Sequence, residues 1–222
     1  MKPIAGKGSI ARWNNTEHPP GMDTQEQLRL VEQETDLARK ALRLAMLVAS
    51  LFRESGCETV VVGGSAIEFY TNGDYMSGDV DICFLLRGRP ELRVVAELMG
   101  KVGATGGPRS FKVAGLFVDI LGEVETLAQT QFRKITDPST GQYVLLSKPE
   151  DLLAERMLMA LYPARDDDSL ACARKLVSAG LAGGVEIDWQ EAMRVAALPE
   201  YRVEKELAEL VEQVKIESTE TP

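Results

Sequence analysis

Three observations predict an α/β (α+β) fold, a short mixed sheet flanked by helices and followed by a C-terminal helical region. β-branched runs alternate with helical stretches before about residue 146. Two of these runs are joined by a tight turn, which sets neighbouring strands antiparallel and makes the sheet mixed. From Ser147 onward only helical patterns remain. The expected division is a loose N-terminal arm at 1–22, an α/β core at 23–146 and a helical region at 147–222.

Composition narrows the function classes. The 222 residues are 45% hydrophobic and 27% charged, enough to bury a substantial core. No stretch approaches the roughly 18 uninterrupted apolar residues of a membrane span, and the first residues lack a secretory signal's apolar centre. A cytoplasmic location is therefore expected. A net charge of −9 argues against general nucleic-acid affinity, because phosphate contacts need clustered Lys and Arg. A local basic pocket remains compatible with it. Cys57, Cys83 and Cys172 lack paired spacing, so neither a disulfide framework nor a zinc site is expected. The only histidine, His18, lies in the aperiodic arm and is given no role.

In chain order, Asp23 and Glu26 have capping-box spacing. Leu30, Leu37, Ala41, Leu44, Val48 and Leu51 then mark one long amphipathic helix that Gly56 stops. "CETVVVG" reads as a buried strand and "SAIEFYTNG" as a short helix closed by Asn72 and Gly73. "DVDICFLL" is a second strand, and Pro90 opens a helix reaching about Met99. "SFKV" and "LFVDIL" form a hairpin about Ala114 and Gly115. Residues 123–142 read as a helical piece and a turn at "DPSTG", with "YVLL" as a last, edge strand. Ser147 and Glu150 repeat the capping-box spacing ahead of "DLLAERMLMAL", and helices follow near 166–179, 188–197 and 200–217. The acidic "DDD" at 166–168 suits a helix N-terminus, where it complements the dipole.

Candidate chemistry is concentrated in "VVVGGSAIEFYTNGDYMSGDVDICF". A strand that ends in Gly63 and Gly64 and turns directly into a helix exposes unpaired N–H groups at the positive end of the helix dipole, where phosphate binds. Glycine allows close backbone approach, and Ser65 adds a hydroxyl. In a strand, residues two apart share a face, so Asp79 and Asp81 project together. Such carboxylates repel one another unless a cation lies between them. Asp119 sits among Phe117, Val118, Ile120 and Leu121, where an unpaired buried charge is costly. Three carboxylates on adjacent strands supply the oxygen ligands that Mg²⁺ prefers.

"VVGGSAIEFYTNGDYMSGDVDICF", "RSFKVAGLFVDILGE" and "LLSKPEDLLAERMLMAL" together resemble the polymerase-β-like nucleotidyltransferase superfamily, in particular its small bacterial members of the abortive-infection toxin group. The matching motif residues are Gly63-Gly64-Ser65, Ser77 two residues before Asp79 and Asp81, Asp119 on a later strand, and Pro149 to Leu152. The resemblance spans roughly residues 57–162. It implies a short mixed sheet of the nucleotidyltransferase type and transfer of a nucleoside monophosphate from a nucleoside triphosphate to a hydroxyl acceptor. It also implies Mg²⁺ or Mn²⁺ held by Asp79, Asp81 and Asp119, which are the catalytic candidates. Nucleotide would be bound by Gly63, Gly64, Ser65 and Ser77, with Arg109 and Lys112 the nearest cations to the leaving pyrophosphate. The acceptor is left open among protein, RNA and small molecules, and a protein partner is compatible.

Two other readings have distinct expectations. A glycosyltransferase using the Asp-x-Asp with Mn²⁺ and a nucleotide sugar needs a longer nucleotide-binding half than the one helix and one strand found ahead of it here. A degenerate nucleotidyltransferase domain would bind nucleotide or a protein without turnover. Retention of all three aspartates favours the enzyme.

Overall fold

A computed structural model describes residues 23–85, 88–124 and 132–220; the N-terminal arm lies outside the described residues. In place of one long helix the chain begins with α1 (Thr24–Gln33) and α2 (Leu37–Glu54). Local side-chain bonds break the helix between them. The Glu34 carboxylate accepts from the N–H groups of Thr35 and Asp36, and Asp36 caps α2 by accepting from the Arg39 N–H. Asp23 forms no capping-box bond; only its carbonyl holds the first turn of α1, through the Gln27 N–H. Gly56, at φ +83°, ends α2 as expected, with the Cys57 and Gly56 N–H groups returning to Phe52 and Arg53.

β1 (Thr59–Val61), α3 (Gly63–Tyr70), β2 (Asp79–Leu85) and α4 (Leu92–Gly100) follow the expected pattern. A short β3 (Thr105–Gly106) precedes the hairpin of β4 (Ser110–Val113) and β5 (Leu116–Val124). Its turn residues Ala114 and Gly115 both have positive φ, the requirement of a type I′ turn. Beyond β5 the helical expectation fails where the chain is described: β6 (Arg133–Thr136) is a strand, antiparallel to β7 (Tyr143–Leu146). Residues 125–131 of that stretch lie outside the described residues.

The strand order is β3-β4-β5-β2-β1-β7-β6. β2 runs antiparallel to β1 and parallel to β5, and β1 runs parallel to β7, so the sheet is mixed. β7 is therefore not an edge strand, because β6 covers its outer side. β5 and β2 sit adjacent in the middle, which brings two aspartate-bearing strands into register.

One face of the sheet carries Val61, Val80, Ile82, Phe84, Phe111, Val113, Val118, Ile120, Val144 and Leu146 into the main core. There the edge of one phenyl ring meets the face of another, Phe52 of α2 against Phe84 of β2, with centroids 5.0 Å apart. The other face holds a smaller apolar group, Val60, Cys83, Leu85 and Leu145, and it also carries the aspartates. Four helices complete the chain: α5 (Pro149–Leu161), α6 (Asp167–Leu181), α7 (Trp189–Ala196) and α8 (Glu204–Glu220). They add Leu152, Leu176, Val195 and Leu207 to the same main core. Glu150 does not close a capping box with Ser147. Its carboxylate is buried and accepts from the Asp188 N–H ahead of α7. Asp166 caps α6 by accepting from the Asp168 N–H, as the acidic run suggests. Among the described residues no helix is long and apolar enough to cross a membrane.

Candidate metal centre

Parallel pairing of β2 with β5 places Asp79 opposite Phe117 and Asp81 opposite Asp119. With period-two side chains, Asp79, Asp81 and Asp119 fall on one face. Each offers a carboxylate oxygen within 4.8 Å of the others. The cluster is uncompensated in two respects. Asp119 Oδ1 is buried without a hydrogen-bond partner. The Asp81 carboxyl is pushed up to about 6 by burial first, then by repulsion from Asp79 and Asp119, against the lowering effects of Ser65 and Arg156. Converging hard oxygen donors, one of them orphaned, fit a divalent cation such as Mg²⁺ or Mn²⁺.

The glycine turn adjoins this cluster. α3 starts at Gly63, and its first-turn N–H groups have no intrahelical acceptor. Gly63 has φ +60°, and a Cβ there would lie 2.7 Å from Arg156 Nη2 and 3.2 Å from Asp81 Oδ2. The space at Gly64 is closed by side chains. A Cβ on it would stand 2.8 Å from Ser77 Oγ and 3.3 Å from the Tyr75 hydroxyl.

The two serines hold the aspartates in place. The Ser65 hydroxyl accepts from the Asp81 N–H at 2.8 Å and donates to the Asp79 carbonyl at 3.1 Å. The Ser65 hydroxyl is thus tied to β2, by these two bonds and by the contact that lowers the Asp81 carboxyl. The Ser77 hydroxyl donates to Asp79 Oδ1 at 2.8 Å, and the Ser77 N–H donates to Glu68 Oε2 at 2.7 Å. Glu68 is only 2% exposed, and burial raises its pKa, opposed chiefly by that bond from Ser77.

Lys112 shares the carboxylate face of the hairpin, with Nζ 5.7 Å from the Phe117 ring centroid. Arg109 is exposed just ahead of β4, where its carbonyl accepts from the Ile120 N–H. Among the described residues neither cation has a hydrogen bond or ion pair to the aspartate cluster. The structure instead brings up Arg156, from α5. Its side chain is 13% exposed, its Nε is buried without a partner among the described residues, and it forms an ion pair with Glu155 at 3.8 Å. The signal for it lay in "LLAERMLMAL": Arg156 is four residues from both Leu152 and Ala160, on the buried side of an apolar helix.

Comparison with solved structures agrees with this architecture. An antigenic nucleotidyltransferase-like protein from Paracoccidioides brasiliensis superposes with a TM-score of 0.50 at 16% identity, over 80% of this chain and 92% of that one. The fold is nucleotidyltransferase-like. The antibiotic-resistance factor ANT(2'')-Ia superposes with a TM-score of 0.49 at 13% identity, over 79% of this chain and 97% of its own. No protein-family model and no curated protein sequence matches the chain.

Proposed function

We propose that this chain is a metal-dependent nucleotidyltransferase, transferring a nucleoside monophosphate from a nucleoside triphosphate to a hydroxyl acceptor. The observation that carries the reading is the convergence of Asp79, Asp81 and Asp119 beside the glycine turn that opens α3. Bound there, divalent cations supply charge neutralisation of the triphosphate and polarisation of the acceptor hydroxyl.

The chain's own groups divide the remaining work. The N–H groups of Gly63, Gly64 and Ser65 face the outer phosphates, at the positive end of the α3 dipole. Arg156 adds a fixed cation beside Gly63, suited to charge that builds on the departing pyrophosphate. Arg109 and Lys112 approach from the hairpin side. Ser77 orients Asp79, and Ser65 fixes the β2 backbone that carries both Asp79 and Asp81. Asp119, with an oxygen free of any hydrogen bond, takes the proton of the acceptor hydroxyl. In this assignment residues 23–146 hold the nucleotide chemistry, and 147–222 form the helical region from which Arg156 reaches the turn. The finer assignment, to the abortive-infection toxin group and to the cytoplasm, rests on the motif resemblance and the composition.

The test is linkage. Mg²⁺ with a nucleoside triphosphate should raise the melting temperature of the parent more than Mg²⁺ alone, and Asp79→Asn should abolish the nucleotide-dependent part. An equal rise in both proteins would place the ligand elsewhere. Binding without pyrophosphate release in the presence of any acceptor would mean a nucleotide-binding module rather than an enzyme.

A further inference from the structure

A concavity lies at the foot of β2, behind the segment that carries Ser77 and Asp79. It encloses about 230 Å³, between the first turns of α2 (Leu37, Ala41), the buried Glu68 of α3, the loop residues Met76 and Gly78, and the strand starts at Asp79, Val80 and Leu116. Val80 and Leu116 belong to the core side of the sheet, so the cleft faces away from the aspartate cluster although Asp79 touches both. Leu37 and Met76, at 57% and 47% exposed, leave long apolar side chains in contact with water.

The lining restricts what fits. Leu37, Ala41, Met76, Val80 and Leu116 favour an apolar body, while the ionisable groups of the wall, Glu68 and Asp79, are both acids. An anionic ligand would meet repulsion without a compensating cation in the lining. A neutral apolar one would leave the spare acceptor capacity of the Glu68 carboxylate unmet. Glu68 has acceptor capacity left: a carboxylate offers about four lone-pair sites, and backbone N–H groups, that of Ser77 at 2.7 Å foremost, take only part of them.

We infer that this cleft binds a small apolar amine, with the hydrocarbon against Leu37, Met76 and Leu116 and the ammonium on Glu68. The assignment does not rest on the nucleotide reading, although the cleft adjoins the aspartate cluster: Asp79 lines both, and Glu68 holds the Ser77 N–H.

Hexylamine, hexan-1-ol and hexanoate share one hydrocarbon chain and differ in the head group, so they separate the contributions. Each is titrated into the full chain, without metal or nucleotide, while the methyl NMR signals of Met76, Leu37 and Leu116 are followed. Hexylamine should shift these signals saturably, hexan-1-ol should bind at least tenfold more weakly, and hexanoate should leave them unmoved. Glu68→Gln should reduce hexylamine binding to the level of the alcohol. Because Glu68 is buried and that variant can fail to fold, Met76→Ser, at an exposed position, provides a second check and should weaken hexylamine and the alcohol alike. Equal binding of hexylamine and hexan-1-ol to the parent, or no saturable shift with hexylamine, would overturn the assignment.

Discussion

Replacing Asp81 by Asn should stabilise the metal-free protein at neutral pH. In the fold the Asp81 carboxyl is pushed from 3.8 up to about 6, mainly by burial and then by Asp79 and Asp119. The folded state therefore holds this proton more tightly than the unfolded chain. Stability from this group is fully present below about pH 4 and is lost as the pH rises to 6, the reverse of an ordinary salt-bridged carboxylate. At about 1.4 kcal/mol per pH unit the loss is at most about 3 kcal/mol, and the partial exposure of Asp81 screens it to about 1–2 kcal/mol. Asn keeps the size and the backbone N–H bond to Ser65 Oγ while removing the charge. Urea unfolding of both proteins at pH 4.5 and 7.5, without divalent cations, measures the effect. The parent should lose about 1 kcal/mol more than Asp81→Asn between the two pH values, the part of the loss that falls above pH 4.5. Saturating Mg²⁺ at pH 7.5 should restore that loss in the parent alone. Identical pH dependence in the two proteins would refute the claim that the carboxylates are held together uncompensated.

Three further outcomes follow from the same geometry. Gly64→Ala places a methyl 2.8 Å from Ser77 Oγ, so Ser77 must release Asp79; calorimetry should show Mg²⁺–nucleotide affinity reduced about tenfold, the effect of losing about 1.4 kcal/mol. Arg156→Met removes a mostly buried guanidinium whose Nε lacks a partner. Triphosphate affinity should fall by about tenfold or more while unfolding free energy changes by less than about 1 kcal/mol, since the lost cation also relieves a desolvation cost; a large destabilisation with unchanged affinity would make Arg156 structural. Phe84→Ala opens the main core opposite Phe52 and should cost about 3–5 kcal/mol in urea unfolding.

What could be read from the residues was local or strictly periodic. Ala114-Gly115 specifies its hairpin because only a turn with positive φ at both positions closes two residues onto antiparallel strands. The face shared by Asp79 and Asp81 follows from strand geometry alone. The pairing of Asp81 with Asp119 does not, because register between strands remote in sequence depends on how the whole sheet assembles. The break at Thr35 and Asp36 was hidden beneath an unbroken apolar stripe, since side-chain bonds to two N–H groups outweighed continuation of the helix. β6 carries "RKIT", too short and too polar to stand out, and without it β7 looked like an edge. Arg156 and Glu68 were the largest omissions from the site. Each is a charge on a buried helix face, and only the tertiary fold shows that one meets the glycine turn and the other the loop holding Ser77.

The central claim is that this site transfers a nucleotidyl group, and the position of a radiolabel decides it. Nucleoside triphosphates labelled at the α- or the γ-phosphate are incubated with Mg²⁺, candidate protein, RNA and small-molecule acceptors, and either the parent or Asp119→Asn. The account predicts that the parent places the α-label on an acceptor and releases the γ-label as pyrophosphate, while Asp119→Asn still binds the triphosphate and transfers neither. Appearance of the γ-label on the acceptor, or undiminished α-label transfer by Asp119→Asn, would contradict it.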